Sequence, residues 1–111
     1  MDISFANEKL KKECLDFKAS SKAHGAVCAK KIRQRLDDMR AAATLEVCRT
    51  LPGRYHELKG DRKWQIAADV EHPKRLIFEP AHDPMPVKED KGLDWSKVTA
   101  VTVLEIEDYH D

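Results

Sequence analysis

The chain has 111 residues, of which 41% are hydrophobic and 36% charged, and its 20 Lys/Arg balance its 20 Asp/Glu. This size and composition predict one globular domain, residues 1–111, with a core large enough to fold without disulfides or metals. No segment approaches the roughly 20 apolar residues that cross a bilayer, and the N-terminal residues lack a basic start and an apolar stretch, so we expect a cytoplasmic protein with no signal peptide and no membrane association.

The N-terminal half begins with a short strand and a helix. Ile3-Ser4-Phe5 alternates apolar and polar residues, as an edge strand does. Asn7 is a favourable N-cap for a helix that runs to about Lys18, and Ser20-Ser21 and Gly25 interrupt the pattern beyond it. The apolar stripe of this helix comprises Leu10, Cys14 and Phe17.

A second helix is predicted to extend to about Arg40. Its apolar positions recur at the spacing of one helix face, and they are Cys28, Ile32, Leu36 and Met39. Two amphipathic helices joined by a short polar linker predict an αα-hairpin. Thr44 is placed to cap a short helical turn over residues 45–48, and Leu51-Pro52-Gly53 then ends helical structure.

The second half of the chain has the pattern of a β-sheet. Four runs are rich in β-branched and aromatic residues, namely 55–58, 64–70, 75–78 and 98–106. Gly60-Asp61 and Glu71-His72-Pro73 are turn signals between them. Simple alternation in the last run puts Val98, Ala100, Thr102, Leu104 and Ile106 on one face, and Thr99, Val101, Val103 and Glu105 on the other. Because both faces are largely apolar, we expect a central strand beneath the helices.

A connector rich in proline and charge, residues 80–97, precedes the last run. We expect it to be a mobile surface excursion, and the alternative is an ordered functional loop. The order of elements is β-α-α followed by three or four antiparallel strands. Helices that collect on one face of such a sheet make an α+β domain.

Cysteine usage indicates a reducing compartment. The three cysteines, Cys14, Cys28 and Cys48, are widely spaced, and an odd number of them favours free thiols. No Cys-x-x-Cys pair and no cluster of histidines is present, so we predict no metal site and no cofactor. Cys14 and Cys28 are expected to serve as small hydrophobic residues on the buried faces of the helices.

The charges are distributed unevenly along the chain. Residues 1–78 hold 17 Lys/Arg and 11 Asp/Glu, whereas residues 79–111 hold 3 and 9. The N-terminal two thirds can therefore present a surface that binds a polyanion. The alternative is a solvated helix face, which accounts equally well for the cations of the second predicted helix, namely Lys30, Lys31, Arg33, Arg35 and Arg40.

Two polar clusters carry the chemistry that we assign to the chain. The first covers residues 52–62 and continues with His72-Pro73-Lys74-Arg75, and the second is Asp108-Tyr109-His110. Cleavage of RNA by its own 2′-hydroxyl needs a base, cations for the charge that develops on the phosphorane, and an acid for the 5′ oxygen. Histidine has an ordinary pKa near 6.5 and can supply either proton transfer. The clusters therefore predict phosphodiester cleavage without a metal.

Each candidate in the first cluster also has a structural explanation. His56 is a candidate base, although a lone histidine on a strand is usually an ordinary half-buried residue. Arg75 is the strongest candidate, because its planar fork fits a phosphate at two points. Lys59 can hold a phosphate or simply belong to a hairpin turn. The other cations that we predict to contact RNA are Arg54, Arg62 and Lys74.

The C-terminal cluster is a candidate for the remaining roles. Tyr109 can stack on a base, which contributes about 1–3 kcal/mol. His110 can act as the acid, and Asp108 can orient one of the histidines. The alternative is an inert, frayed tail. We predict no catalytic role for the remaining histidines, which are His24, His72 and His82.

Segments spread in order over nearly the whole chain resemble the HigB branch of the RelE/ParE-like toxins, the plasmid maintenance killer proteins of bacterial type II toxin–antitoxin systems. These segments are Ile3-Ser4-Phe5-Ala6-Asn7, residues 51–62, residues 72–80, Lys88-Glu89-Asp90, Leu93-Asp94-Trp95 and Glu107-Asp108-Tyr109-His110. Two features depart from the family pattern. The net charge is zero where ribosome-directed relatives are commonly basic, and Lys74 stands where an aromatic residue often precedes the arginine.

The resemblance implies a RelE-like fold with two helices packed on one curved antiparallel sheet. It implies an endoribonuclease, an mRNA interferase that cuts messenger RNA in the ribosomal A site and so inhibits translation, and it marks His56 as catalytic. It also implies a cognate HigA-like antitoxin with a helix-turn-helix domain, through which alone the complex contacts operator DNA.

Two other classes of function stay open at the level of sequence. A ParE-like toxin with the same fold binds and poisons DNA gyrase without being an enzyme, since a fold does not fix a function. The second alternative is a plain interaction module whose helices only bind a partner. Neither alternative requires the phosphate-binding and proton-transfer groups of the two clusters.

Overall fold

The computed structural model describes residues 1–108, which form one five-stranded sheet with helices packed on one face. The elements are β1 (Asp2–Phe5), α1 (Glu8–Leu15), α2 (Phe17–His24), α3 (Ala26–Ala41), a 3-10 helix (Leu45–Thr50), β2 (His56–Glu57), β3 (Ile66–Asp69), β4 (Lys74–Pro80), a second 3-10 helix (Trp95–Lys97) and β5 (Ala100–Asp108). The strand order is β1-β5-β4-β3-β2. The pairs β2–β3, β3–β4 and β4–β5 are antiparallel, whereas β1 runs parallel to β5. The predicted α+β class is confirmed.

The predicted first helix is in fact two helices. Asn7 does cap α1, because its side chain accepts a hydrogen bond from a backbone N–H at 2.8 Å. The chain leaves α1 at Asp16, whose carboxylate then accepts two N–H bonds from the first turn of α2. Ser20-Ser21 lies inside α2, so the expected interruption there is wrong. The side-chain cap of Asp16 starts a new helix at this point, whereas two serines do not interrupt a helix because their helix propensity is only mildly unfavourable.

The second predicted helix is confirmed as α3, and its stripe forms the centre of the core. Cys28, Ile32, Leu36 and Met39 are at most 1% exposed, and they belong to one apolar cluster with Leu76, Phe78, Val101 and Val103 of the sheet. All three cysteines are free and buried. Burial raises the pKa of Cys14 to about 12 and that of Cys48 to about 11, which keeps both thiols protonated. None of the helices in residues 1–108 is long and apolar enough to cross a bilayer.

Strand β5 lies inside the sheet, as expected, but its faces do not follow simple alternation. Ile77 of β4 pairs with Glu105 and Phe78 pairs with Val103, so Leu104 is an extra residue in a β-bulge. Leu104 packs with the apolar group on the face opposite the helices, whereas Val103 packs toward the helices. The bulge therefore turns Glu105 toward the open face, the sheet face that the helices leave uncovered.

The connector is ordered, and the expectation of a mobile excursion is wrong. Leu93 and Trp95 are only 3% and 2% exposed and belong to the main core, which anchors the connector. The Trp95 indole N–H donates to the Glu57 carboxylate at 3.0 Å, and the Arg49 guanidinium lies 3.8 Å from the centre of the Trp95 ring. Through Glu57 the connector supports β2, the two-residue strand that begins with His56.

Candidate active site

A row of charged residues crosses the open face near one end of the sheet. In the strand register Arg75 lies between Asp69 on β3 and Glu107 on β5. Arg54, just before β2, extends the row through its contacts with Asp69. We call these four residues the charged row. Asp69 forms ion pairs with both arginines of the row, and Glu107 forms one with Arg62, so a ligand meets positive and negative groups side by side.

Arg75 is the most buried charge in this row, with 7% of its surface exposed. Its Nε lies 2.8 Å from Asp69 Oδ1, a close ion pair rather than a well-aligned hydrogen bond. Its Nη1 donates to the carbonyl oxygens of Pro73 and Lys74 at 3.2 and 3.3 Å. These contacts hold the guanidinium at Nε and at Nη1, and they leave Nη2 as the group that can donate to a phosphate.

Asp69 is the residue that sequence reasoning missed. Its carboxylate also receives Arg54, with Nε at 3.2 Å and Nη2 at 3.4 Å. A single carboxylate thus holds two arginines that the sequence predicts as phosphate ligands. The sequence did contain a signal for Asp69, because it is a single acidic residue at the end of an apolar strand, just before the turn that leads to the strand of Arg75.

His56 lies on the same open face as Arg54 and Asp69. It pairs with Ala67, two residues before Asp69 on β3, and side chains two residues apart share a face. Its Nδ1 is 2.7 Å from the carbonyl oxygen of Arg54, which can only accept, so Nδ1 carries the proton. In the neutral ring, Nε2 then has the lone pair that a general base needs.

Arg62 and two carboxylates occupy the β5 side of the face. Arg62 Nη2 donates to Glu107 at 2.6 Å and lies 3.6 Å from Glu105, while Nη1 donates to Gln65. A hydrogen bond with Glu105, partial burial and the charge of Glu105 raise the pKa of Glu107, against the opposing effect of Arg62. The two carboxyls therefore share this cation under mutual repulsion.

We expect Glu105→Gln to stabilise the protein at neutral pH, by up to about 0.5 kcal/mol. The folded pKa of Glu107 lies above its unfolded value, so its stabilising contribution is present at low pH and is lost as the pH rises from 4.5 through the folded pKa. Removing Glu105 should flatten that fall, which urea unfolding at several pH values will measure. The control is Glu89→Gln in the connector, and identical pH profiles for Glu105→Gln and the wild type would show that the carboxyls do not interact.

The two predicted lysine contacts lie away from the charged row. Lys74 lies next to Arg75 on β4 and therefore points to the opposite, helix-facing side, where its Nζ donates to His24 Nδ1 at 3.2 Å. His24 Nε2 in turn lies 3.9 Å from Glu13, and burial followed by the charge of Lys74 lowers the pKa of His24. This placement does not favour the predicted RNA contact of Lys74. Lys59 is exposed in the loop after β2.

The C-terminal cluster is only partly within the described residues. Asp108 ends β5, is exposed, and lies opposite Lys74 in the register. Tyr109 and His110 follow it and lie outside the described residues. His82 has a structural contact, because its Nε2 accepts the backbone N–H of Thr99 at 3.1 Å. In residues 1–108, no group of three or more His, Cys, Asp or Glu is placed to hold a metal ion.

Comparison with known proteins identifies the fold. No protein-family model and no curated protein sequence matches the chain. A solved YoeB/ParE toxin from Agrobacterium tumefaciens superposes with a TM-score of 0.62 and 10% identity, over 99% of this chain and 100% of that one. The chain has the YoeB/ParE toxin fold. The YoeB–YefM complex from Staphylococcus aureus gives a TM-score of 0.56 at 15% identity, over 100% and 98% of the two chains.

At these identities the likeness shows the fold alone. It confirms the predicted RelE-like architecture, with one correction, since residues 1–108 contain three α-helices rather than two. The HigB branch and the chemistry rest on the sequence motifs and on the geometry of the open face.

Proposed function

We propose that this protein is the toxin of a type II toxin–antitoxin system and acts as a HigB-type endoribonuclease on ribosome-bound messenger RNA. The observation that carries this proposal is the open face, where Arg75 is fixed with Nη2 left to donate and His56 has its Nδ1 proton held by a carbonyl. A non-enzymatic gyrase poison has no need of either arrangement.

In the proposed reaction, the 2′-hydroxyl of the RNA attacks the adjacent phosphorus and breaks the bond to the 5′ oxygen. His56 Nε2 removes the hydroxyl proton, and Arg75 Nη2 stabilises the charge on the phosphorane. His110 protonates the leaving oxygen, and Tyr109 stacks on a neighbouring base. The predicted role of Asp108 in orienting a histidine is not favoured, because Asp108 lies opposite Lys74 and so on the helix-facing side. Side chains alone supply these steps, and the products are a 2′,3′-cyclic phosphate and a 5′-hydroxyl.

The cations around this centre are proposed to hold the RNA. Arg54 and Arg62 flank Arg75 on the open face, and Lys59 lies in the adjacent loop. The ion pairs of Arg54 with Asp69, and of Arg62 with Glu105 and Glu107, keep the face nearly neutral. Binding to free RNA is therefore expected to be weak, and the ribosome supplies the additional contacts.

The proposed partner is a HigA-like antitoxin encoded beside this protein, with a helix-turn-helix domain that contacts operator DNA. The sequence resemblance supports this type of antitoxin. One of the structural neighbours was itself solved as a toxin complex, YoeB with YefM.

Expression of the chain without an antitoxin is expected to arrest growth and to deplete translated messages within minutes. The measurement is mapping of new 5′ ends in cellular RNA, and the control is Arg75→Ala expressed to the same soluble level. Intact messages together with blocked DNA replication would favour gyrase poisoning instead. Normal growth at high levels of folded protein would refute a toxin function of either class.

A further inference from the structure

Every polar group of Asp69 is engaged by a different part of the protein. Its backbone N–H donates to the carbonyl oxygen of Gly53 at 2.7 Å, and its own carbonyl accepts from Arg35 Nε at 2.7 Å. Its carboxylate takes Arg75 on one oxygen at 2.8 Å and Arg54 on both, at 3.2 and 3.4 Å. Asp69 therefore joins the helix layer, the β2 segment and the start of β4.

The contact with Arg35 fixes Asp69 from the helical side. Arg35 belongs to α3, and its side chain fills the space beside Gly53, where an added Cβ would lie 2.7 Å from Arg35 Nε. Gly53 has a φ of +127°, a conformation that L residues rarely adopt. The loop before β2 and the end of β3 are thus held against the same guanidinium, which gives Asp69 a rigid base.

We propose that Asp69 is the positioning residue of the active site, an inference that rests on the proposed function. Its carboxylate engages Arg75 through Nε, on the edge of the guanidinium that also carries Nη2, and so fixes the plane in which Nη2 lies. It thereby aims Nη2 at the scissile phosphate and sets Arg54 beside it. Asp69 itself touches no reacting atom. Cations that are already held in place lower the activation barrier of cleavage, because they need not reorganise as negative charge develops on the phosphate.

The kinetic test is single-turnover cleavage of ribosome-bound message by Asp69→Asn in the full chain. The maximal rate is expected to fall by about 10- to 100-fold, while the half-saturating concentration changes by less than about threefold, because orientation rather than binding is lost. Asp69→Glu keeps the charge and should recover part of that rate. The matched control is Asp37→Asn, whose carboxylate also lies between two arginines, Arg33 at 4.0 Å and Arg40 at 3.7 Å, but on the outer face of α3.

A second readout requires no RNA. The arginine Nε–H signals of Arg54 and Arg75, resolved by ¹⁵N NMR and assigned with lysine variants, should shift in Asp69→Asn and exchange with water at least about 10-fold faster. Asp37→Asn should leave both signals unchanged. A wild-type protein that cuts no message would refute the proposed function. The NMR measurement would still show whether Asp69 holds the two arginines.

Three results would overturn the proposal. They are a wild-type maximal rate in folded Asp69→Asn, unchanged arginine signals, or tighter message binding with an unchanged maximal rate. The last would mean that Asp69 only competes with the phosphate. If Asp69→Asn does not fold, Asp69→Glu serves as the test variant instead, because its longer side chain displaces the carboxylate from the two arginines. A rate reduced by about 10-fold with shifted arginine signals is then the expected result.

Discussion

Arg75→Ala is expected to lower the single-turnover cleavage rate by about 10²- to 10³-fold, the usual cost of losing one preorganised transition-state donor. The contacts of Nε and Nη1 fix the guanidinium so that Nη2 faces the ligand without reorganisation. Arg75→Lys should not restore full activity, because an ammonium cannot keep these contacts and reach the phosphate as well. Rates on ribosome-bound message provide the measurement.

Stability must be followed in parallel, because Arg75 is buried and its removal leaves Asp69 with Arg54 alone. The matched control is Arg33→Ala, an arginine on α3 that is 65% exposed and also pairs with an aspartate. It should cleave at the wild-type rate. A wild-type rate in folded Arg75→Ala would remove Arg75 from the active site and leave the open face without its central cation.

His56→Ala is expected to lower the cleavage rate by about 10²- to 10⁴-fold, the range for loss of a positioned general base. The bond from Nδ1 to the Arg54 carbonyl fixes the ring and its tautomer, so His56→Ala removes a positioned lone pair at Nε2. The measurement is again single-turnover cleavage, with binding to ribosomes determined separately so that lost chemistry is distinguished from lost affinity.

The control for His56 is His82→Gln, in which the amide oxygen can still accept the Thr99 N–H that His82 accepts. We expect its cleavage rate to equal that of the wild type. Normal cleavage by His56→Ala would move the base from His56 to the C-terminal cluster. His110 would then be the next histidine to replace, with His56 reduced to a structural residue of β2.

Helix positions were predictable where local chemistry decides them. The Asn7 cap and the spacing of Cys28, Ile32, Leu36 and Met39 depend only on neighbours in sequence, and both are confirmed. The continuation of the first helix to about Lys18 was wrong because one residue, Asp16, both ends α1 and caps α2. The connector was misjudged because proline and charge dominate its composition, whereas the buried side chains of Leu93 and Trp95 anchor it in the core.

The residue types of the candidate site could be proposed from the sequence, but their contacts could not. Arg75 and His56 stand out by chemistry, and the structure puts both on the open face. The role of Asp69 depends on which residues of β3 and β4 lie opposite each other, and that register cannot be read from either strand alone. The direction of the Lys74 side chain could have been predicted, since neighbours on a strand point to opposite faces and Arg75 was already assigned to the candidate site.

The bulge at Leu104 gives β5 one residue more than the ladder with β4 requires. Because of this extra residue, β5 can tolerate a change in its length. A one-residue deletion at Leu104 can be absorbed by closing the bulge, after which Glu107 still lies opposite Arg75 and only the contacts of Leu104 are lost. A deletion on the other side of the site, within the short segment from Gly53 to His56, has no such reserve. The two chain segments that border the open face, β5 and the segment before β2, therefore differ in how freely their lengths can vary among descendants of this chain.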